Sequence, residues 1–114
     1  MRKVANITAP VDDIVRLMIY DCEDGTYLFG YKKLEDCGGE WDQMYSSVEM
    51  CIDSCESNYG VKAEDWFNIS DPEPYCQHDW INPVRVKGRE IGKPQFGTLE
   101  RLINGRWVEF NPKN

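Results

Sequence analysis

The stretch "IVRLMIYDCEDGTYLFGYK", residues 14–32, decides the fold class. Ile14 to Tyr20 is rich in β-forming residues and apolar on both faces apart from Arg16, which is the pattern of an interior strand. Asp21-Cys22-Glu23-Asp24-Gly25 supplies turn chemistry, with Gly25 able to take positive φ. The run from Thr26 to Lys32 then places Tyr27, Phe29 and Tyr31 on one face. The spacing predicts a β-hairpin.

Beyond the hairpin, residues 33–43 read as a polar loop containing Gly38-Gly39, and the next stretch predicts the main helix. Ser46 with Glu49 three positions later forms a capping-box signature, and Gly60 after Tyr59 is a stop. Val48, Cys51, Ile52, Cys55 and Tyr59 share one stripe, predicted to face the sheet, while Glu49, Asp53, Glu56 and Ser57 lie opposite. "KAEDWF", residues 62–67, predicts a short helical turn with Trp66 and Phe67 over the edge of the core. Before the hairpin, residues 1–13 read as a leader with Pro10 and an acidic pair.

The C-terminal part begins with an irregular segment, Ser70 to Pro83, punctuated by Pro72, Pro74 and Pro83. Val84-Arg85-Val86-Lys87 alternates like a short strand. Asn104-Gly105 then marks a two-residue turn between strands at residues 98–103 and 106–110. In that register Leu102 opposes Trp107 and Leu99 opposes Phe110, but Glu100 opposes Glu109. A one-residue bulge brings Arg101 opposite Glu109 instead, and the sequence leaves both registers open. The expected fold is α+β, in the order β-β-α-loop-β-β-β. It is an antiparallel sheet of four or five strands with one main helix packed on one face, all within a single domain, residues 1–114.

Composition narrows the functions. A chain of 114 residues with 41% hydrophobic residues and four tryptophans can build its own core. No run approaches the length of a membrane span, and no apolar segment follows the basic residues near the N-terminus, so the expectation is a cytoplasmic protein with no membrane partner. Five cysteines without a secretory signal point to thiols rather than a disulfide framework. The formal net charge of −7 is unevenly spread: residues 1–79 carry 17 acids against 6 bases, and residues 80–114 carry 3 acids against 7 bases. That sign disfavours nucleic acid, although Arg85, Lys87, Arg89 and Lys93 lie near Trp80, Phe96 and Trp107.

"CQHDWINPVRVKGREIGKPQFGTLERLINGRWVEF", with the Asp65-Trp66 pair before it, resembles the tail of a family of small, uncharacterised bacterial proteins. In these a C-Q-H-D-W loop precedes a basic strand and a G-x-W hairpin. The likeness covers residues 60–110 and implies a small bacterial or phage-borne single-domain protein, with no activity, ligand or catalytic residue attached.

Three functional readings follow from the residues. The leading one is a non-enzymatic, acidic protein-binding module, of the kind an immunity or inhibitor protein uses to capture a basic partner. Its partner-binding residues are Asp21, Glu23 and Asp24 in the first turn, and Glu35, Asp36, Glu40, Trp41 and Asp42 in the Gly-Gly loop, with Trp41 as an exposed aromatic anchor. The alternative is a structural zinc site built from Cys51, Cys55, Cys76 and His78, ligand types that zinc prefers. Its spacing departs from the usual C-x-x-C knuckle, and both helix cysteines lie on the apolar stripe. The third is an enzyme using the Cys76–Trp80 loop, in which His78 would need a nucleophile and an orienting group within reach. No phosphate loop, nucleophile elbow or H-E-x-x-H motif is present. The plain structural reading of that loop is an irregular segment anchored by Trp80.

Overall fold

A computed structural model describes residues 1–112. Among them are one α-helix and eight strands, arranged as a five-stranded and a three-stranded antiparallel sheet. The fold is α+β, with the helix packed on the larger sheet. The chain divides into two compact units, Met1–Asp71 and Pro72–Asn114.

The first unit contains β1 (Arg2–Val11), β2 (Ile14–Cys22), β3 (Gly25–Tyr31), β4 (Trp41–Tyr45), α1 (Val48–Tyr59) and β5 (Phe67–Ile69). Its sheet order is β4-β3-β2-β1-β5, so the hairpin of residues 14–31 is the centre of the sheet, and β2 is interior as its two-sided apolarity predicts. Two of its neighbours come from segments that read as loop. The supposed leader is β1. Val4, Ala5 and Ile7 are buried, and Asp12 and Asp13 at φ of 52° and 66° make a two-residue turn that closes with Val11 opposite Ile14. Pro10 is tolerated near the end of this strand, where it interrupts no central ladder. The second correction is β4, an edge strand whose Asp42, Gln43 and Met44 are exposed.

The helix covers one face. Cys51 and Cys55 are fully buried with Ala5, Ile7, Leu17, Ile19, Leu28, Val61 and Trp66, and Trp41, Tyr45, Ile52 and Tyr59 pack around them. The N-cap is Ser47 rather than Ser46: its hydroxyl accepts from the Met50 N–H at 3.1 Å, which leaves Glu49 one position short of a capping box. Gly60 closes the helix at φ 71° in the left-handed region, where a Cβ would be strained. A 3-10 turn at Ala63–Asp65 leads into β5.

The second unit is built on β6 (Val84–Val86), β7 (Leu99–Ile103) and β8 (Arg106–Phe110), in that spatial order. The last hairpin takes the two-residue register, with Leu102 opposite Trp107 and Glu100 opposite Glu109. The like charges tolerate each other because each has its own cation: Arg85 Nε donates to Glu100 at 3.1 Å, and Lys87 pairs with Glu109. The Arg85 guanidinium also lies 3.8 Å from the centroid of the Trp107 ring.

Candidate functional site

The acidic residues of the first unit fall into three groups. Glu23 and Asp24 are exposed in the β2–β3 turn, while Asp21 beside them is partly buried and accepts from the Thr26 hydroxyl at 2.8 Å. Glu35, Asp36 and Glu40 converge on Cys37, whose thiol is pushed up by partial burial and, beyond the opposing pull of Lys33, by these three carboxylates. Asp42 continues this group onto the exposed edge strand. The turn and the loop stand at opposite ends of β3, roughly 20 Å apart for a strand of that length. The eight residues of the expected binding site therefore form two clusters.

Trp41 is placed differently from its expected role. Its indole lies over Gly30, where a Cβ would come within 2.3 Å of the ring, and it stacks on Tyr59 at a centroid distance of 6.4 Å. It belongs to the packing around the core and offers only part of its surface. A third acidic group, absent from the expected site, is the outer stripe of α1. Glu49, Asp53 and Glu56 are all exposed, and the last turn of the helix has no basic residue. The 3.6-residue period carries this stripe as plainly as the apolar one, but an outward helix face is ordinarily read as solvated surface.

The thiols separate by environment. All five are free. Cys51 and Cys55 lie one helical turn apart in the first unit's core, and their thiol–thiol contact pulls Cys51 down and pushes Cys55 up, with burial opposing the first shift and adding to the second. Cys76 is buried in the second unit, in an isolated bridge with Arg85. His78 is exposed in the turn that follows. Among the described residues no three His, Cys, Asp or Glu side chains are grouped so as to hold a metal ion.

The Cys76–Trp80 loop is held by its backbone and its ends. The Gln77 N–H donates to the Val84 carbonyl at 2.6 Å, Arg89 Nη1 donates to Gln77 Oε1 at 2.9 Å, and Trp80 packs edge-on against Phe110 at 5.6 Å. Tyr75 takes φ of 67° at the loop's entry.

A concave feature lies wholly in the first unit. A groove of ≈ 500 Å³ is lined by Asn6, Thr8, Tyr59, Val61, Glu64 and Phe67, among others, beside the part of β1 that β5 does not reach. No helix is long and apolar enough to cross a membrane among the described residues. No protein-family model, curated protein or solved structure matches this chain.

Proposed function

We propose that this protein is a non-enzymatic binding module whose acidic first unit captures a basic protein, in the manner of an immunity or inhibitor protein. The observation that carries the reading is the charge of that unit. Residues 1–71 hold 15 acids against six bases, and the exposed carboxylates stand at a turn, along a loop and down the outer face of α1. A field of one sign over most of a 71-residue unit accelerates encounter with a partner of opposite sign and repels acidic competitors.

Affinity capture tests this, with the wild-type chain and a triple charge reversal, Glu40→Lys, Asp42→Lys and Asp53→Lys, as parallel baits. The reading expects a basic protein retained by the first bait and lost from the second. Its association rate should fall at least tenfold as ionic strength rises from about 0.05 M to about 0.3 M. The same proteins on both baits, or an association rate indifferent to salt, would count against it.

A further inference from the structure

We infer that the open edge of β1 accepts an extended, basic segment of the partner as an added β-strand, a proposal that rests on the acidic-capture reading and gives it a docking mode. The edge is defined by hydrogen-bond alternation. Met1 and Asp21 exchange both backbone bonds, the Asp21 N–H donating to Met1 O at 2.9 Å and the Met1 amine to Asp21 O at 3.1 Å. In an antiparallel ladder the next residues facing β2 are then Lys3 and Ala5, while Arg2, Val4 and Asn6 turn their N–H and C=O groups the other way. On that other side Arg2 and Val4 meet Ile69 and Phe67 of β5, and the pairing stops there. From Asn6 onward β1 continues to Val11 with no strand on its β5 side among the described residues.

That unpaired stretch opens into the groove, and Asn6 and Thr8 line it. An isolated edge of this kind is a template for another chain unless charge, proline or a bulge blunts it. Pro10 protects the far end, and the register of β1 against β2 shifts between Asn6 and Val11, so the ladder position that carries on from β5 is Asn6. The opposite wall of the groove has the two qualities that select an occupant. Tyr59, Val61 and Phe67 are apolar, and Phe67 is 50% exposed. Glu64 is an exposed carboxylate beside the C-terminal end of α1, whose last turn carries no cation. Asp65 is partly spent as acceptor of the Lys62 N–H at 2.9 Å, and Lys62 is the one cation in the lining. An incoming strand with alternating apolar and basic side chains meets both walls, because successive side chains point to opposite faces. A second copy of this chain is the poorer occupant, since it would bring a second acidic unit to the same edge.

The full chain, labelled with nitrogen-15, is titrated with a capped heptapeptide of alternating lysine and valine. Two control peptides have the same sequence and charge, one N-methylated at the lysine amides and the other at the valine amides. An added strand uses one set of amides, so one control should bind at least tenfold more weakly and the other like the parent. The amide signals of residues 6–11 should shift, and exchange at Asn6 should slow at least tenfold. Thr8→Pro, within the stretch where β1 shifts register against β2, should weaken the parent peptide by a similar factor, and Glu64→Lys should weaken it independently of the ladder. If both controls bind like the parent with a steep salt dependence, strand addition is overturned while acidic capture stands. If the ladder signature appears but the triple charge reversal changes nothing in the capture experiment, the edge stands and the acidic reading falls. Peptide that leaves the signals of residues 6–11 unmoved overturns the proposal outright.

Discussion

Gly30 shows how one residue can set the position of a larger one. It lies in β3 opposite Trp41 of the edge strand β4, and the indole fills the space its missing side chain leaves. Gly30→Ala should push the ring outward, loosen its stack on Tyr59 and destabilise the first unit by about 1–3 kcal/mol, read as a lower urea midpoint and a red-shifted tryptophan emission. An unchanged midpoint would mean the edge strand yields freely. Thiol chemistry offers a second test at this scale. Cys51, Cys55 and Cys76 are buried, whereas Cys22 and Cys37 are partly exposed, so a native-state thiol assay should count two fast groups and a denatured one five. Because burial and the surrounding carboxylates raise the Cys37 thiol, its alkylation should lag that of the same residue in urea. The gap should close as pH climbs beyond the ordinary thiol range. A third fast thiol would place one of the buried cysteines within reach of solvent.

Among the elements, α1 was the most readable because a stripe of apolar residues at helical spacing is written in the chain itself, and only its cap was misplaced by one residue. Ser47→Ala should cost about 1 kcal/mol of stability while Ser46→Ala costs little, and equal effects would contradict the assigned cap. β1 and β4 were harder to read for opposite reasons. β1 has a proline and an aspartate pair that imitate a loop, although the pair is its turn. β4 is an exposed edge strand, so Asp42, Gln43 and Met44 show no buried alternation, and only pairing with β3 makes it a strand. The same limit applies to the acidic site. Its residue types were legible, but whether the turn and loop clusters meet depends on strand direction and length, which no local pattern encodes. The C-terminal hairpin register was likewise undecidable without Arg85 in a third strand and Lys87 just beyond its end. Removing Arg85 leaves Glu100, which is largely buried, without its cation, so Arg85→Met should destabilise the second sheet by about 3 kcal/mol. Lys87→Met removes a pair between exposed groups and should change little. Equal losses in a chemical-denaturation comparison would show that the Glu100–Glu109 repulsion, rather than burial, governs the hairpin.

For the whole molecule, the acidic balance gives the surface its sign, while the groups that titrate at high pH set the alkaline limit of its stability. Burial raises Tyr20 and Tyr59 above their ordinary value of 10.0, and Cys37 and Cys55 are raised above 9.0. Each raised group keeps its proton in the folded chain at a pH where the unfolded chain has released it. The native state therefore binds more protons above about pH 9, and stability falls as pH rises through that range. Cys51 works in the other direction, since its contact with Cys55 lowers it. Taken together, however, the two thiols hold one proton well past the point where two unfolded thiols have lost both. Lys87, raised by Glu109, adds to the trend at low salt and fades from it at high salt because the pair is exposed. Urea unfolding followed from about pH 7 to about pH 10.5 should give a midpoint that declines above about pH 9. In parallel, the near-ultraviolet tyrosinate absorbance of the native protein should lag that of the unfolded chain. A midpoint that stays level across the whole range, with native and unfolded tyrosines ionising together, would mean that the core around α1 and the β2–β3 hairpin admits solvent readily enough to erase these shifts.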